Sequence, residues 1–302
     1  MNKFLIILSL LIGSSSLYAN EEDFRDFGYD LEKRLFIKAD HLLEVTDKIF
    51  LARPSVLEKW GVLNGDAEAS YNGWTNTIVL KEKNLIEDQG RFRVRSYKEF
   101  QDGKTNLFGF AANSIFHEVS HADFDIFIEN SSHNTAKDFL VNRIPKWFKR
   151  NYPNVNKKTA TQELFGYTAG QIVQTLNMEI ESIHLAHGLA YQEERCFNRN
   201  ALEKIAKRLD LKTKLEFKLH GDKDLSREFL PRSIYITGEE VKTSDMPAFL
   251  TRPILSYFSL KYELPLSRAE LIKRMNSSSY LDKLEKCYSF LNKKIISKDL
   301  DY

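Results

Sequence analysis

The chain has little cysteine: two residues, Cys196 and Cys287, in 302. That scarcity excludes a metal site built from thiolates, because two cysteines so far apart supply neither the number nor the spacing of ligands it needs. Strong charge of either sign is also missing, since 44 basic residues against 42 acidic ones leave a net +2. So mild an excess gives no electrostatic footprint for nucleic acid. Internal repeats, low-complexity tracts and clear linkers are absent. Beyond the N-terminus no apolar run approaches the roughly 20 residues of a membrane-spanning helix. What remains is a globular composition, 42% hydrophobic and 28% charged, able to bury a sizeable core.

The first residues point to export. Met1-Asn2-Lys3 is a short positive start, Phe4 to Ile12 is apolar apart from Ser9, and Leu17-Tyr18-Ala19 ends in a small residue suited to signal peptidase. This is the order of parts in a secretory signal over residues 1–19. The expectation is a periplasmic or secreted protein that matures near Asn20, without a membrane span, as one domain over residues 20–302. In an oxidising compartment Cys196 and Cys287 are expected to pair. Closing that long loop would stabilise the fold by roughly 4–5 kcal/mol in the chain-entropy account.

Hydrophobic spacing predicts an α+β fold, predominantly α-helical, with a small β-sheet ahead of one central helix and helical additions at the C-terminus. The core is expected over about 67–190 and the helical C-terminal part over about 191–302. Helices are predicted for Asp30–Val45, for a short stretch after Pro54, and for Leu107 to about Glu129. Another spans Thr135–Arg150 with a kink at Pro145, and helical pattern resumes near Thr159 and persists, with breaks at Gly188 and around Asn198, to about Leu209. Further helices are predicted at Pro247–Tyr262, Ser267–Met275 and Tyr280–Ile296. Ala67–Tyr71 and Trp74–Leu80 read as a hairpin around a tight Asn72-Gly73 turn. Arg91–Arg95, Lys214–Leu219 and Ser233–Thr237 are predicted strands.

The chemistry is concentrated in His117-Glu118-Val119-Ser120-His121. Four-residue spacing on a helix puts both imidazoles on one face, one turn apart, where two nitrogens reach one ion. Glu118 lies about 100° round the helix, near a water on that ion without being a ligand. Zinc suits this set: it takes neutral imidazole, wants a third protein ligand, and keeps a fourth position for a water acidified to pKa near 7. Glu118 would take that proton as general base. Chance placement of the pattern in such a chain is on the order of one in a hundred.

This segment resembles the zincin metallopeptidases. The metzincin continuation is excluded, because Phe124 and Phe127 stand where it needs Gly and His. The resemblance is to gluzincins, over roughly residues 67–170, and implies a glutamate from a downstream helix as third ligand. Glu163, in Thr161-Gln162-Glu163-Leu164-Phe165-Gly166-Tyr167, fits that role, with a small residue after it that allows close helix approach. Tyr167, one turn on, is a candidate donor to a developing oxyanion. His133 is a rival ligand, while His184 and His187 share a face and could line a cleft. His41 and His220 have no evident partners. Asp123 is expected either to back a ligand histidine or to sit on a solvated helix face. The strand Thr75–Leu80 is expected as a substrate-binding edge.

The expected function is an exported zinc metallopeptidase acting on a peptide or protein substrate, with metal ligands His117, His121 and Glu163 and catalytic residues Glu118 and Tyr167. The competing expectation is a non-catalytic exported binding or envelope-associated protein that retains the fold. Substrate, cleavage preference and oligomeric state are not legible.

Overall fold

The computed structural model describes residues 22–52, 68–88, 91–100, 106–130, 135–187 and 216–278. The signal segment, the helix after Pro54, His133, Cys196, Cys287 and the Tyr280–Ile296 helix lie outside them. Of the described residues 64% are helical and 14% strand, so the predominantly helical α+β class holds.

The chain opens with α1 (Glu22–Leu35), whose first turn is acidic (Glu22, Asp23) and last turn basic (Lys33, Arg34), complementing the helix dipole. Phe24, Phe27, Leu31 and Leu35 form its buried stripe. The expected Asp30–Val45 helix is two helices, because Phe36 takes a left-handed conformation (φ 58°) and α2 (Asp40–Thr46) starts anew. No glycine or proline marks this break. It is fastened from far along the chain, where the Tyr262 carbonyl accepts from Lys38 N–H at 2.9 Å.

Strands β1 (Phe50–Ala52), β2 (Ala69–Asn72) and β3 (Thr77–Leu80) form a sheet in the order β1-β3-β2, parallel between β1 and β3 and antiparallel between β2 and β3. Asn72 pairs with Thr77, so the connection is a four-residue loop rather than a two-residue turn, and the positive φ falls on Asn76 (49°). An Asn72 side chain that accepts from Trp74 N–H at 2.9 Å starts the loop. Strand β3 is therefore central, and the edge is β2. A separate hairpin joins β4 (Leu85–Asp88) to β5 (Arg91–Val94). The expected strand at Arg91 thus has a partner that sequence spacing missed.

Two helices carry the site. Helix α3 (Asn106–Asn130) buries Phe108, Ala111, Ala112, Ile115, Phe116, Val119 and Phe124. After α4 (Thr135–Asp138), the segment Phe139–Arg143 widens into a π-helix that leads into α5 (Ile144–Asn151). The π-helix ends two residues before Pro145, which lacks a helical N–H donor. Helix α6 (Lys157–Ala186) starts at Asn156, whose side chain accepts from Lys158 and Thr159 N–H. It ends at Ala186, next to the break expected at Gly188, and the stretch expected to continue to about Leu209 lies outside the described residues.

Helices α3 and α6 pack antiparallel, since Phe124 meets Phe165, His121 meets Gly166, Asn113 meets Gly170 and Gly109 meets Asn177. Glycine is what permits the approach. A Cβ on Gly170 would fall 2.6 Å from Asn113 Oδ1, and one on Gly166 would fall 2.8 Å from His117 Nε2.

The remainder covers this pair. A hairpin of β6 (Ser233–Ile236) and β7 (Glu239–Lys242) is followed by α7 (Ala248–Lys261), entered through Pro247, and α8 (Arg268–Ser277), capped by Ser267. The part of the predicted Lys214–Leu219 strand that is described, Glu216–Leu219, forms no ladder. Its Phe217 is instead tied to Asn276 through both backbone groups. The buried apolar residues form one cluster running from Phe24 to Met275.

Candidate metal centre

One face of α3 presents His117, His121 and Asp125 in successive turns. Helix α6 brings Glu163 opposite them, and the three ligand-type side chains His117, His121 and Glu163 place donor atoms within 4.8 Å of one another. The imidazole Nε2 atoms are 3.0 Å apart. Glu163 Oε2 is 3.5 Å from His117 Nε2, and its Oε1 is 3.8 Å from His121 Nε2. A tetrahedral ion with bonds of roughly 2.0–2.2 Å separates its donors by about 3.3–3.6 Å, and the three separations here run from below that range to above it. Gly166 leaves the space beside both rings open, where any side chain would intrude. The group can therefore hold a metal ion.

Burial shapes the protonation of each member. It holds His121 down to about 3, with neighbouring His117 adding to the effect, so His121 presents a neutral ring. The Gln162 backbone carbonyl engages that ring, and Asp125 Oδ1 accepts from the Gln162 amide at 2.8 Å. Ligand imidazoles are oriented by outer partners of this kind. Burial also pulls on His117, but the hydrogen-bonded Glu163 and the Glu118 charge carry it above its ordinary value. For Glu163 burial pushes upward, and the contact with His117 and the two imidazoles overcome it, leaving the carboxyl below its usual range.

Glu118 stands beside the cluster, with Oε1 4.0 Å from His117 Nε2. Its other oxygen accepts from the Tyr71 backbone N–H at 2.8 Å. The β-ladder explains why that N–H is available. Lys81 N–H donates to the Glu68 carbonyl, so alternation turns Ser70 and Asn72 toward β3 and turns Ala69 and Tyr71 to the outer edge. Burial raises the Glu118 carboxyl above the ordinary carboxylate range and Glu163 adds to this, while His117 and the Tyr71 donor act against it.

Tyr167 edges onto His117, with ring centroids 4.8 Å apart at 83°. Its phenol is raised by burial first and by Glu163 next, and it is hydrogen bonded to the backbone of Tyr235. The Tyr71 ring lies nearly parallel to that of His121, at 6.5 Å. These residues line a cavity of about 920 Å³, whose rim includes Trp74, Lys158 and Tyr235.

Five predicted site residues thus meet in one cleft: His117, Glu118, His121, Glu163 and Tyr167. Other histidines do not join them. His184 is buried against Phe217, and His187 accepts from Lys218 N–H and lies beside His220. Neither lines the cleft. Asp123 departs from both expectations. It is 1% exposed, lies about 200° round the helix from His121, and binds His41 rather than a ligand histidine. Its Oδ1 is 3.0 Å from His41 Nε2 and 2.6 Å from the Tyr257 hydroxyl, and its Oδ2 accepts from Tyr262 at 3.1 Å. His41, which had no evident partner in the sequence, gains Asp123, Tyr257 and Glu44. The Tyr71 donor also escaped notice, because a backbone amide leaves no trace in residue type; the alternating strand was its only signal. Compared with protein-family models, curated proteins and solved structures, the chain gives no match.

Proposed function

We propose that this protein is an exported zinc-dependent metallopeptidase that hydrolyses peptide bonds, resembling gluzincins in its ligand set. The observation that carries the reading is the convergence of His117, His121 and Glu163 with a fourth, differently held carboxylate, Glu118, 4.0 Å from one of them. Two neutral-type nitrogens and one carboxylate make up the donor set of catalytic zinc sites, which bind three protein groups and keep one position open. Zinc, when bound there, supplies an acidified water at neutral pH and a Lewis-acid pull on the scissile carbonyl.

The chain's own residues do the rest. The Tyr71 N–H fixes Glu118 Oε2, so Oε1 is the oxygen that takes a proton from the attacking water and passes it to the leaving amine. A raised carboxyl is suited to the first half of that transfer, because it is a stronger base than a carboxylate in bulk water and takes the proton more readily. The outer edge of β2 offers the Ala69 backbone groups and the Tyr71 carbonyl to an extended substrate chain. Tyr167, beside His117, is placed to donate to negative charge developing on the substrate oxygen. The Gln162 backbone carbonyl keeps the His121 ring in its ligand orientation.

The test is Glu118→Gln. The variant should bind zinc in the same stoichiometry as the unaltered protein and lose cleavage of a generic unfolded protein by about 10²–10⁴-fold. Cleavage by the variant at the original rate would remove Glu118 from the chemistry.

A further inference from the structure

The main cavity continues. A second hollow of about 360 Å³ adjoins it and shares three of its wall residues, Glu68, Asn113 and Ser114. Its other walls are Phe100, Phe110 and Ala111 with Lys83 and Asn84. Phe110 is 72% exposed, although it belongs to the helix that buries Phe108, Ala111, Ile115 and Phe116. Resting on the metallopeptidase reading, we infer that this hollow is a substrate side-chain subsite, taking a large apolar residue close to the cleaved bond.

Charge, size and distance each support that occupant. The one carboxylate on the shared rim, Glu68, is ion-paired with Lys83 at 2.8 Å, so the hollow carries no free acid to attract a basic side chain. The main cavity differs, since Glu118, Asp125 and Glu163 face Lys158 within it. The volume lies at the lower end of the range of about 300–1,000 Å³ for small-ligand pockets, room for one side chain rather than a second chain segment. Along α3 the hollow extends from Ser114 to Phe110, three to seven residues before His117. At 1.5 Å per residue that is about 4.5–10.5 Å. An extended chain advances roughly 3.3 Å per residue, so the occupant is within about three positions of the scissile bond.

Covering Phe110 also supplies a reason for binding. An exposed aromatic loses little when an apolar side chain packs on it and gains the burial of both surfaces. Asn113, on the wall between the hollows, is held in place by its Nδ2 donating to the Gly170 carbonyl at 3.1 Å. The junction is thus a fixed passage rather than a movable side chain.

The experiment uses the full zinc-loaded protein on a reduced, unfolded protein substrate, with cleavage sites read by mass spectrometry. Phe, Leu, Met or Tyr should be enriched at one position within three residues of the cut. Two peptides differing only by Phe or Ala at that position then give a kcat/KM ratio. Phe110→Ser and Ser114→Phe should each lower this ratio about tenfold, with folding checked by circular dichroism. Cleavage without enrichment, or equal loss on both peptides, overturns the subsite and leaves the peptidase reading standing. A Phe110→Ser variant that alters only self-association, read by light scattering, also overturns it and makes Phe110 a contact between copies. Failure of the zinc-loaded protein to cut any peptide bond removes the peptidase reading and the subsite with it.

Discussion

Helix α3 carries a histidine–carboxylate cluster on each of two faces, and they are built to opposite ends. On the closed face both oxygens of Asp123 are engaged, by two tyrosine hydroxyls and a His41 ring nitrogen. On the open face the ligand atoms of His117, His121 and Glu163 converge within 4.8 Å of one another. At most one of two neutral Nε2 atoms 3.0 Å apart can donate to the other. A buried polar group answered by donors holds elements together. A set of converging acceptors with too few protons among them is a place for a cation. The two clusters share residue types, and only the supply of hydrogens separates structure from site.

Removing one acid from each face should break the comparison in different ways. Glu163→Ala should abolish tight metal uptake, measured as metal per mole of protein, and with it the metal-dependent rise in Tm. The metal-free protein should keep its unaltered Tm. Asp123→Ala should do the reverse, retaining the metal but losing about 3–5 kcal/mol of stability in denaturant unfolding. It leaves Tyr262 buried without its acceptor and His41 without its charge partner. An Asp123→Ala protein that unfolds normally but loses its metal would show that the two faces are not independent.

A smaller effect sharpens the contrast within the open face. Tyr71→Pro deletes the N–H that holds Glu118 and spares the β2–β3 ladder, because that N–H points to the outer edge, where proline is tolerated. It should lower kcat about 10–100-fold, the worth of a hydrogen bond to a charged group, with metal content unchanged. Tyr71→Phe keeps the amide and should leave Glu118 in place. Equal losses in the two variants would mean that the hydroxyl, which donates to Asn76, matters rather than the amide.

Much of this was legible in residue order. The long helices follow from apolar spacing. His117, Glu118 and His121 stand within four residues, so helix geometry alone sets their relation. Glu163 was named through its likeness to a downstream gluzincin ligand, with Gly166 noted as a small neighbour. Less legible was whatever depended on long-range contact. Asn72-Gly73 has the composition of a two-residue turn, yet the β2–β3 register demands a four-residue loop with its positive φ on Asn76. Phe36 ends a helix without a breaker because Tyr262, far along the chain, accepts from the following backbone. Asp123 reads as backing for a ligand histidine or as a solvated charge, and only α2 and the end of α7 closing over it supply its partners.

The sequence by itself determined the two imidazoles one turn apart and the carboxylate beside them, because neighbours along a helix are fixed by its pitch. Only the tertiary structure decided which face of α3 opens to a cleft, which acid completes the donor set, and which strand holds Glu118. Those depend on the antiparallel register of α3 against α6 and on the pleat of β2. Register is a property of two packed surfaces, set where glycines let backbones approach, and no single segment contains it.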